Sequence, residues 1–473
     1  MNVPSILGDR PFWRDALRLA LPVAIQNMLT SSFQLIDTLM VGQLGDLTLS
    51  AVGMAGQWSW LMNMVLFGAC SGMSVLASQY WGVRDMKGIH RVFGIALLFC
   101  LSVGGVFLGV ALCLPAGVIG LFNQEPDVIA TGAAYLKIAC WSYPALAVMN
   151  VFSMLLRTVE RAPITMYLSI FSTLTNAALN ACLIFGKLGL PAMGAQGAAL
   201  ATVISAWLGP ILVWIVSMKQ KNELIAPAAD LFGFGKAELA LFFKKAAPVI
   251  ANETTWGLGM VTLNTIFANL GYEYYAAVTI QSTFMDLAFT FFIGLCSACI
   301  IMVGKSVGQG NIRHAVTDSR RFMLLIPLTS LIITVLTVLL RDQLVQIFNL
   351  SGSISAQTVS TAREILVLRV LEYPLQMACY ALVVGVYRGG GNTLTVMILE
   401  LICLWAISIP VTWVCANILH LPFAWVFLIS RAAEDLPKYV YIRWNYHQGK
   451  WLKPVTKEGI EGLAAYRAEQ AKD

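Results

Sequence analysis

The chain has 473 residues, of which 58% are hydrophobic and 12% are charged, and its formal net charge is +6. Soluble domains carry about 25% charged residues, so this composition excludes an ordinary soluble protein and indicates a polytopic membrane protein. The small positive balance does not require a nucleic-acid partner, because basic residues of membrane proteins collect in cytoplasmic loops.

Apolar segments of membrane-spanning length recur twelve times along the chain. Each is long enough to cross about 30 Å of hydrocarbon as a helix, so the sequence predicts an all-α polytopic membrane protein. The predicted spans cover residues 14–41, 49–80, 92–115, 128–156, 162–186, 194–217, 244–270, 276–306, 322–340, 358–387, 393–416 and 423–446.

Basic residues are concentrated in alternate connections between these spans, whereas the other connections include an acidic stretch at 123–127. The basic connections should be cytoplasmic, which puts both termini of a twelve-span protein in the cytoplasm. We therefore expect a multi-pass protein of the inner or plasma membrane. The basic set comprises Arg84, Lys87, Arg91, Arg157, Arg161, Lys219, Lys221, Lys236, Lys244, Lys245, Arg313, Arg320, Arg321 and Arg388.

The two halves of the sequence align when one is shifted by 226 residues, so that Pro22 falls on Pro248 and Gly68 on Gly294. The repeat predicts two six-helix lobes: an N-terminal lobe at 1–217 and a C-terminal lobe at 244–446. A cytoplasmic linker at 218–243 and a cytoplasmic tail at 447–473 complete the chain. Parallel repeats are a transporter architecture, with the substrate site between the lobes. Pro22 and Pro248 are either static kinks or bending points.

A polar stripe runs along the first predicted span. At 100° per residue, Gln26, Thr30, Gln34 and Asp37 fall within about 80° of arc, so they face protein or water rather than lipid. An ionisable residue inside a membrane is a functional candidate, and the alternative is a structural hydrogen bond to a neighbouring helix.

The fifth and sixth spans, which belong to the same lobe, also carry polar residues. They are Asn176 and Asn180 on the fifth span and Thr202 on the sixth. Carboxylate, amide and hydroxyl oxygens suit a small hard cation or a proton relay. The same residue types also serve as ordinary hydrogen-bond partners between helices. In the second half, Glu253 and Asp286 are acids inside predicted spans, but the repeat partner of Asp37 is Leu263, so the lobes differ chemically.

Several segments together resemble the multidrug and toxic compound extrusion (MATE) family. They are "IDTLMVGQLG" at 36–45, "SQYWGVRD" at 78–85, "NAALNACLIFG" at 176–186, "GAALAT" at 197–202 and "YRGGGNT" at 387–393. The resemblance implies a secondary exporter that exchanges H⁺ or Na⁺ for organic, often cationic compounds by alternating access. It also implies no cofactor, and we expect a monomer in the bilayer.

By this resemblance, Asp37 matches the first-span aspartate of the family's cation site, and Asn176, Asn180 and Thr202 match its partners. The chain is closer to the DinF-like than to the NorM-like branch, because the acidic positions of the latter hold Trp256 and Met377. Asn180 stands where some DinF-like members have aspartate, so H⁺ coupling and a Na⁺ ion at Asp37 and Asn180 both stay open. Candidate substrate-cavity residues are Gln34, Glu253, Trp256, Asp286 and Met377.

Two other functions fit less well. A flippase for lipid-linked precursors would need a more cationic central cavity than these inward acids provide. A membrane-embedded enzyme would need a convergent catalytic set, but the four histidines are far apart in sequence, and Cys296 and Cys299, which are three apart, have no histidine or second cysteine pair near them. We therefore expect that the chain is not an enzyme.

Overall fold

The computed structural model describes residues 9–122, 125–187, 189, 191–348 and 356–470, and these residues are nearly all helical. A 3₁₀ turn at Cys140–Ser142 and two π-helical segments, Ala381–Tyr387 and Ile402–Ser408, join consecutive helices. The helices are α1 Arg10–Gly42, α2 Asp46–Gly82, α3 Met86–Cys113, α4 Pro115–Gly120, α5 Pro126–Ala139, α6 Tyr143–Thr158, α7 Ala162–Phe185, α8 Ala195–Gln220, α9 Ala228–Phe232, α10 Lys236–Leu270, α11 Tyr272–Gly308, α12 Ile312–Leu339, α13 Arg341–Phe348, α14 Ala356–Tyr380, α15 Thr393–Leu401, α16 Ile409–Asn417, α17 Phe423–His447 and α18 Lys457–Gln470.

Every predicted span coincides with one long helix or with consecutive helical segments, which confirms the all-α membrane architecture. Within the described residues, ten of these segments are long and apolar enough to cross a membrane. The other two, α10 and α17, have sufficient length but carry charges such as Glu253 and Lys438. Those two charges form ion pairs inside the protein, which removes much of the cost of placing them in a membrane.

The chain divides into two compact units. The N-terminal unit comprises Ile25–Ala77 and Arg84–Ile250, and the C-terminal unit comprises the residues up to Ala24 together with Ser78–Val83 and Ala251–Asp473. Helix α1 therefore changes unit after Ala24, and α10 changes unit after Ile250. These two positions are separated by 226 residues, the spacing of the repeat.

Glycines let helices approach closely beside the two prolines. In the C-terminal unit, a Cβ on Gly294 would lie 2.5 Å from the carbonyl oxygen of Ala20, next to Pro22. In the N-terminal unit, a Cβ on the equivalent Gly68 would lie 2.6 Å from the Cα of Ile250, next to Pro248. The repeat therefore uses the same small-residue contact twice, once in each unit.

The segment predicted as a linker is anchored to the N-terminal unit. The Arg161 guanidinium is hydrogen-bonded to both carboxylate oxygens of Glu223, and His90 Nε2 lies 3.1 Å from the Glu223 carbonyl oxygen. Arg91 Nη1 donates to Glu238 Oε1 at 2.9 Å. The amide N–H of Gly235 binds the same Glu238 side chain, and together with the Glu238 backbone amide it lowers the pKa of that carboxyl.

Most of the basic residues assigned to cytoplasmic connections lie in helices rather than in open loops, and Arg157 and Arg388 are examples. Arg157 is in the last turn of α6, where its Nη2 donates to Gln26 Oε1 at 2.8 Å. Arg388 is buried and pairs with Glu253. The sequence placed both in loops because each falls at the edge of an apolar segment. At such a position the sequence does not distinguish a buried basic residue from one in a loop.

Candidate functional site

The polar stripe of α1 does not act as one surface. Gln26 is buried and accepts the hydrogen bond from Arg157, whereas the Thr30 hydroxyl donates to the Gln26 carbonyl oxygen on its own helix at 2.8 Å. The Gln34 side chain lies outside the described residues. Asp37, one turn before the end of α1, is half-buried and reaches a neighbouring helix.

Asp37 is the first member of a hydrogen-bonded chain that runs from α1 to α8 through α7. The amide nitrogen of Asn180 donates to Asp37 Oδ1 and also to Asn176 Oδ1, at 3.1 Å in the second case. The amide nitrogen of Asn176 in turn lies 3.0 Å from the Ser205 hydroxyl oxygen. Asn176 and Asn180 share a face because they are one helical turn apart.

Thr202 enters this network indirectly. Its hydroxyl donates to the Ala198 carbonyl oxygen of α8 at 3.0 Å, and its carbonyl oxygen accepts from Ser205 at 3.1 Å. Tyr135 on α5 lies near the Thr202 side chain and near Asp37. The sequence did not predict that Tyr135 would lie beside these residues.

The donor set offers oxygen atoms to a small cation or a proton. Asn180 is fully buried, and its Oδ1 has no hydrogen-bond partner among the described residues. Burying such an acceptor costs free energy unless something binds it. An amide oxygen beside a carboxylate can bind a proton donor or a hard cation such as Na⁺. Burial disfavours the charged carboxylate of Asp37, whereas the Asn180 hydrogen bond favours it, so the group is suited to gaining and losing a positive partner.

The substrate-cavity candidates of the second half have different surroundings. Arg388 Nη2 lies 2.5 Å from Glu253 Oε1, so the charge of Glu253 is compensated inside the C-terminal unit. Met377 is fully buried in the hydrophobic core of this unit, and Trp256 packs against that core. Asp286 is exposed on α11. Of the four, Asp286 has the most accessible polar group.

The chain was compared with protein-family models, curated proteins and solved structures. The family model MatE matches residues 22–182 and 248–414, two segments whose starting points are separated by the repeat spacing. The chain is 26% identical over 456 residues to a probable multidrug resistance protein NorM of Thermotoga maritima, covering 95% of this chain and 96% of that protein. It is also 26% identical to the multidrug resistance protein PmpM of Pseudomonas aeruginosa, covering 87% and 86%.

Solved structures agree with the fold. A MATE crystal structure in the bent conformation matches with a TM-score of 0.81 and 19% identity, covering 94% of this chain and 97% of that one. The Vibrio cholerae MATE transporter VcmN matches with a TM-score of 0.81 and 17% identity, covering 93% and 97%. The family model covers more than half of the sequence, in both repeats. The chain therefore belongs to the MatE family.

Proposed function

We propose that this protein is a secondary active multidrug exporter that exchanges H⁺ or Na⁺ for small organic, often cationic compounds by alternating access. Its family membership and the multidrug resistance names of its relatives support export. The single observation that carries ion coupling is the hydrogen bond from Asn180 to Asp37, beside a buried amide oxygen that has no partner among the residues described.

We assign the coupling site to the N-terminal unit, as the resemblance to the DinF-like branch implies. Asp37 carries the charge that changes, Asn180 and Asn176 orient it, and Thr202 positions Tyr135 against it. A proton would bind a carboxylate oxygen of Asp37. A Na⁺ ion would bind Asp37 together with Asn180 Oδ1, so both ions fit the same donor set.

The change between conformations is assigned to α1 and α10. Both contain an internal proline and both change unit shortly after it, at Ala24 and Ile250. A proline removes one backbone hydrogen bond, which makes bending at that point easier. Binding of an ion at Asp37 can drive export only if it favours one bend of α1 over another. The lobes proposed to move are those predicted at 1–217 and 244–446, joined by 218–243, except that the part of α1 up to Ala24 stays with the C-terminal unit and the part of α10 up to Ile250 stays with the N-terminal unit.

Cationic substrates would be attracted by acids that they can reach, and Asp286 is the exposed one among the four candidates of the second half. Glu253 already has Arg388 as a partner, so we assign it a structural role in this conformation. Met377 and Trp256 would reach a substrate only after the hydrophobic core of the C-terminal unit rearranges.

Drug uptake into everted membrane vesicles tests the function. A proton gradient, a sodium gradient or neither is imposed, and accumulation of a fluorescent organic cation is measured. Gradient-dependent accumulation is expected for one of the two ions. Accumulation without either gradient, or movement of a lipid-linked precursor instead of the drug, would contradict the proposal and favour a different transport reaction.

A further inference from the structure

The C-terminal unit contains a buried cluster of charged side chains that the proposed function does not use. Each member is at most 8% exposed. Three helices contribute to it, and we call it the charged cluster. Its members are Arg369 and Glu372 on α14, Glu400 on α15, and Arg431, Glu434, Asp435 and Lys438 on α17.

Lys438 is the centre of one half of the charged cluster. Its Nζ lies 2.9 Å from a carboxylate oxygen of Glu400, 2.9 Å from one of Glu434 and 3.7 Å from one of Asp435. Three carboxyl groups from two helices therefore share one ammonium group. The lysine can satisfy two of them at normal hydrogen-bond distance, and Asp435 is the one held less closely.

Arginines occupy the other half of the charged cluster. The Arg369 guanidinium is hydrogen-bonded to the Glu372 carboxylate and to the Gln376 side chain. The Arg431 guanidinium donates to the Met260 sulfur at 3.5 Å and lies over the Phe427 ring. Its positive charge attracts Glu434, which is also bound to Lys438.

The charges in the cluster do not balance. It contains four carboxyl groups and three cationic groups, so full ionisation leaves one net negative charge in the interior. An uncompensated buried charge is strongly unfavourable, and protonating one carboxyl group removes it. The charge count alone therefore favours one bound proton.

The contacts identify where this proton lies. The carboxyl group of Asp435 on α17 is a neighbour of the carboxyl group of Glu372 on α14, and the two repel each other when both are charged. Oε1 of Glu372 is buried and has no donor among the described residues. Two carboxylates have no hydrogen to share, so a contact between them requires that one be protonated.

We propose that Glu372 and Asp435 form a second proton-binding site, separate from Asp37, in which one proton is bonded to a carboxyl oxygen and donated to the other carboxylate. Releasing the proton would leave the negative charge uncompensated in the charged cluster. Binding it restores neutrality, so the occupied form is the one compatible with this packing. The same pairing of buried carboxyl groups around one proton is a general way to hold a titratable proton.

The other carboxyl groups nearby have a cationic partner or lie outside the charged cluster, so the excess negative charge falls on Glu372 and Asp435. Glu400 and Glu434 each have Lys438 at 2.9 Å, and Asp286 on α11 is exposed and lies outside the charged cluster. The charged and titratable groups around the pair are Arg369, Tyr373 and Cys379 on α14, Glu400 on α15, Arg431, Glu434 and Lys438 on α17, and Asp286 on α11.

Infrared spectroscopy of the full-length protein in lipid tests the proposal, because a protonated carboxylic acid has its own C=O stretching band. The measurement uses the Asp37→Asn background, so that a proton on Asp37 does not contribute. We expect the band at neutral pH, with a shift in deuterated buffer. Asp435→Asn and Glu372→Gln should each abolish it, since either substitution leaves three carboxyl groups facing three cations. Glu364→Gln, an exposed acid on the same helix, is the matched control and should retain the band.

The two substitutions lie on different helices, so failure of one variant to fold leaves the other to decide. Absence of the band in the Asp37→Asn background would overturn the proposal without any variant of the pair. Persistence of the same band in a folded Asp435→Asn or Glu372→Gln protein would also overturn it. The pair is called a second site because the proposed function places a first one at Asp37. The infrared test does not measure transport, so a negative result can be distinguished from failure of the proposed exporter function.

Discussion

Asn180 determines the geometry of the proposed coupling site. Its single amide nitrogen donates to Asp37 and to Asn176, so both hydrogens are used and the amide orientation is fixed. Its oxygen is then left buried with no partner in the part of the chain that the structure describes. One side chain therefore both holds the carboxylate in place and presents an acceptor beside it, which is the arrangement that an exchangeable cation or proton requires.

We expect Asn180→Ala to abolish ion-driven export and to destabilise the protein by about 1–3 kcal/mol, because Asp37 loses its buried hydrogen-bond donor. Thermal unfolding in detergent and drug export measure the two effects. Thr173→Val on the same helix is the control, since the Thr173 hydroxyl binds only its own helix at Ser169 in the described contacts. Equal losses in both variants would show that any polar change on α7 is harmful and would remove Asn180 from the site.

Glu253→Gln should act mainly on stability. The substitution removes the carboxylate that lies 2.5 Å from the buried Arg388, and breaking a buried ion pair from one side costs about 3–5 kcal/mol. The double variant Glu253→Gln/Arg388→Gln should recover much of that loss. The midpoint of thermal unfolding measures it. Unchanged stability with a selective loss of cation export would instead place Glu253 in the substrate path.

Asp37, Asn176 and Asn180 could be grouped from the sequence because polar residues at helical spacing are conspicuous in apolar segments, and the three are hydrogen-bonded to one another. It missed Tyr135, since one tyrosine in an apolar helix has no pattern that distinguishes it from a packing residue. It also could not tell that the Thr202 hydroxyl donates to its own helix. Which of two available partners a side chain chooses depends on packing distances that periodicity does not contain.

Among the helices, α1 and α10 are the two to which we assign the conformational change of transport. Each begins in one compact unit and ends in the other, and the change follows an internal proline in both cases. Beside each proline, a glycine of another helix packs against the backbone, which keeps the first part of the helix firmly attached to one unit. The second part of α1 carries Asp37, so the proposed ion site lies beyond the proposed bend.

Gly294→Val should separate α11 from α1 at Ala20 and lower stability by about 1–3 kcal/mol, because the new side chain meets backbone rather than a movable side chain. Export should fall with it. Thermal unfolding measures the first effect and drug accumulation the second. Gly109→Val in α3 is the matched control, as a Cβ there meets nothing within 4 Å. A stable, active Gly294→Val protein would contradict the close contact.

For the whole molecule, the twelve spans and the repeat were predictable because apolar length and internal similarity are properties of the sequence itself. The family model matches the chain twice, from residue 22 and again from residue 248, in agreement with that duplication. The attachment of residues up to Ala24 to the C-terminal unit was not predicted, because the lobes were taken as continuous stretches of chain. Helix packing through glycine, which decides this attachment, produces no hydropathy signal.

The orientation in the membrane remains a prediction and can be tested by cysteine labelling. The charge asymmetry places the segment at 218–243 inside the cell and the connection near residue 192 outside. In a cysteine-free background, an impermeant maleimide added to intact cells should label Ala192→Cys but not Ala237→Cys. Both positions are exposed in the structure. The reverse pattern would invert the topology.

Export driven by an ion gradient in the Asp37→Asn protein is the most direct test of the central claim that Asp37 couples the ion to transport. The substitution keeps the shape of the side chain and removes its charge, so the protein should fold and insert normally. Everted vesicles with this protein, at wild-type expression, should accumulate no organic cation under either gradient, while binding of the drug to purified protein persists. Accumulation against a gradient at the wild-type rate would show that Asp37 is a structural residue and would contradict the mechanism.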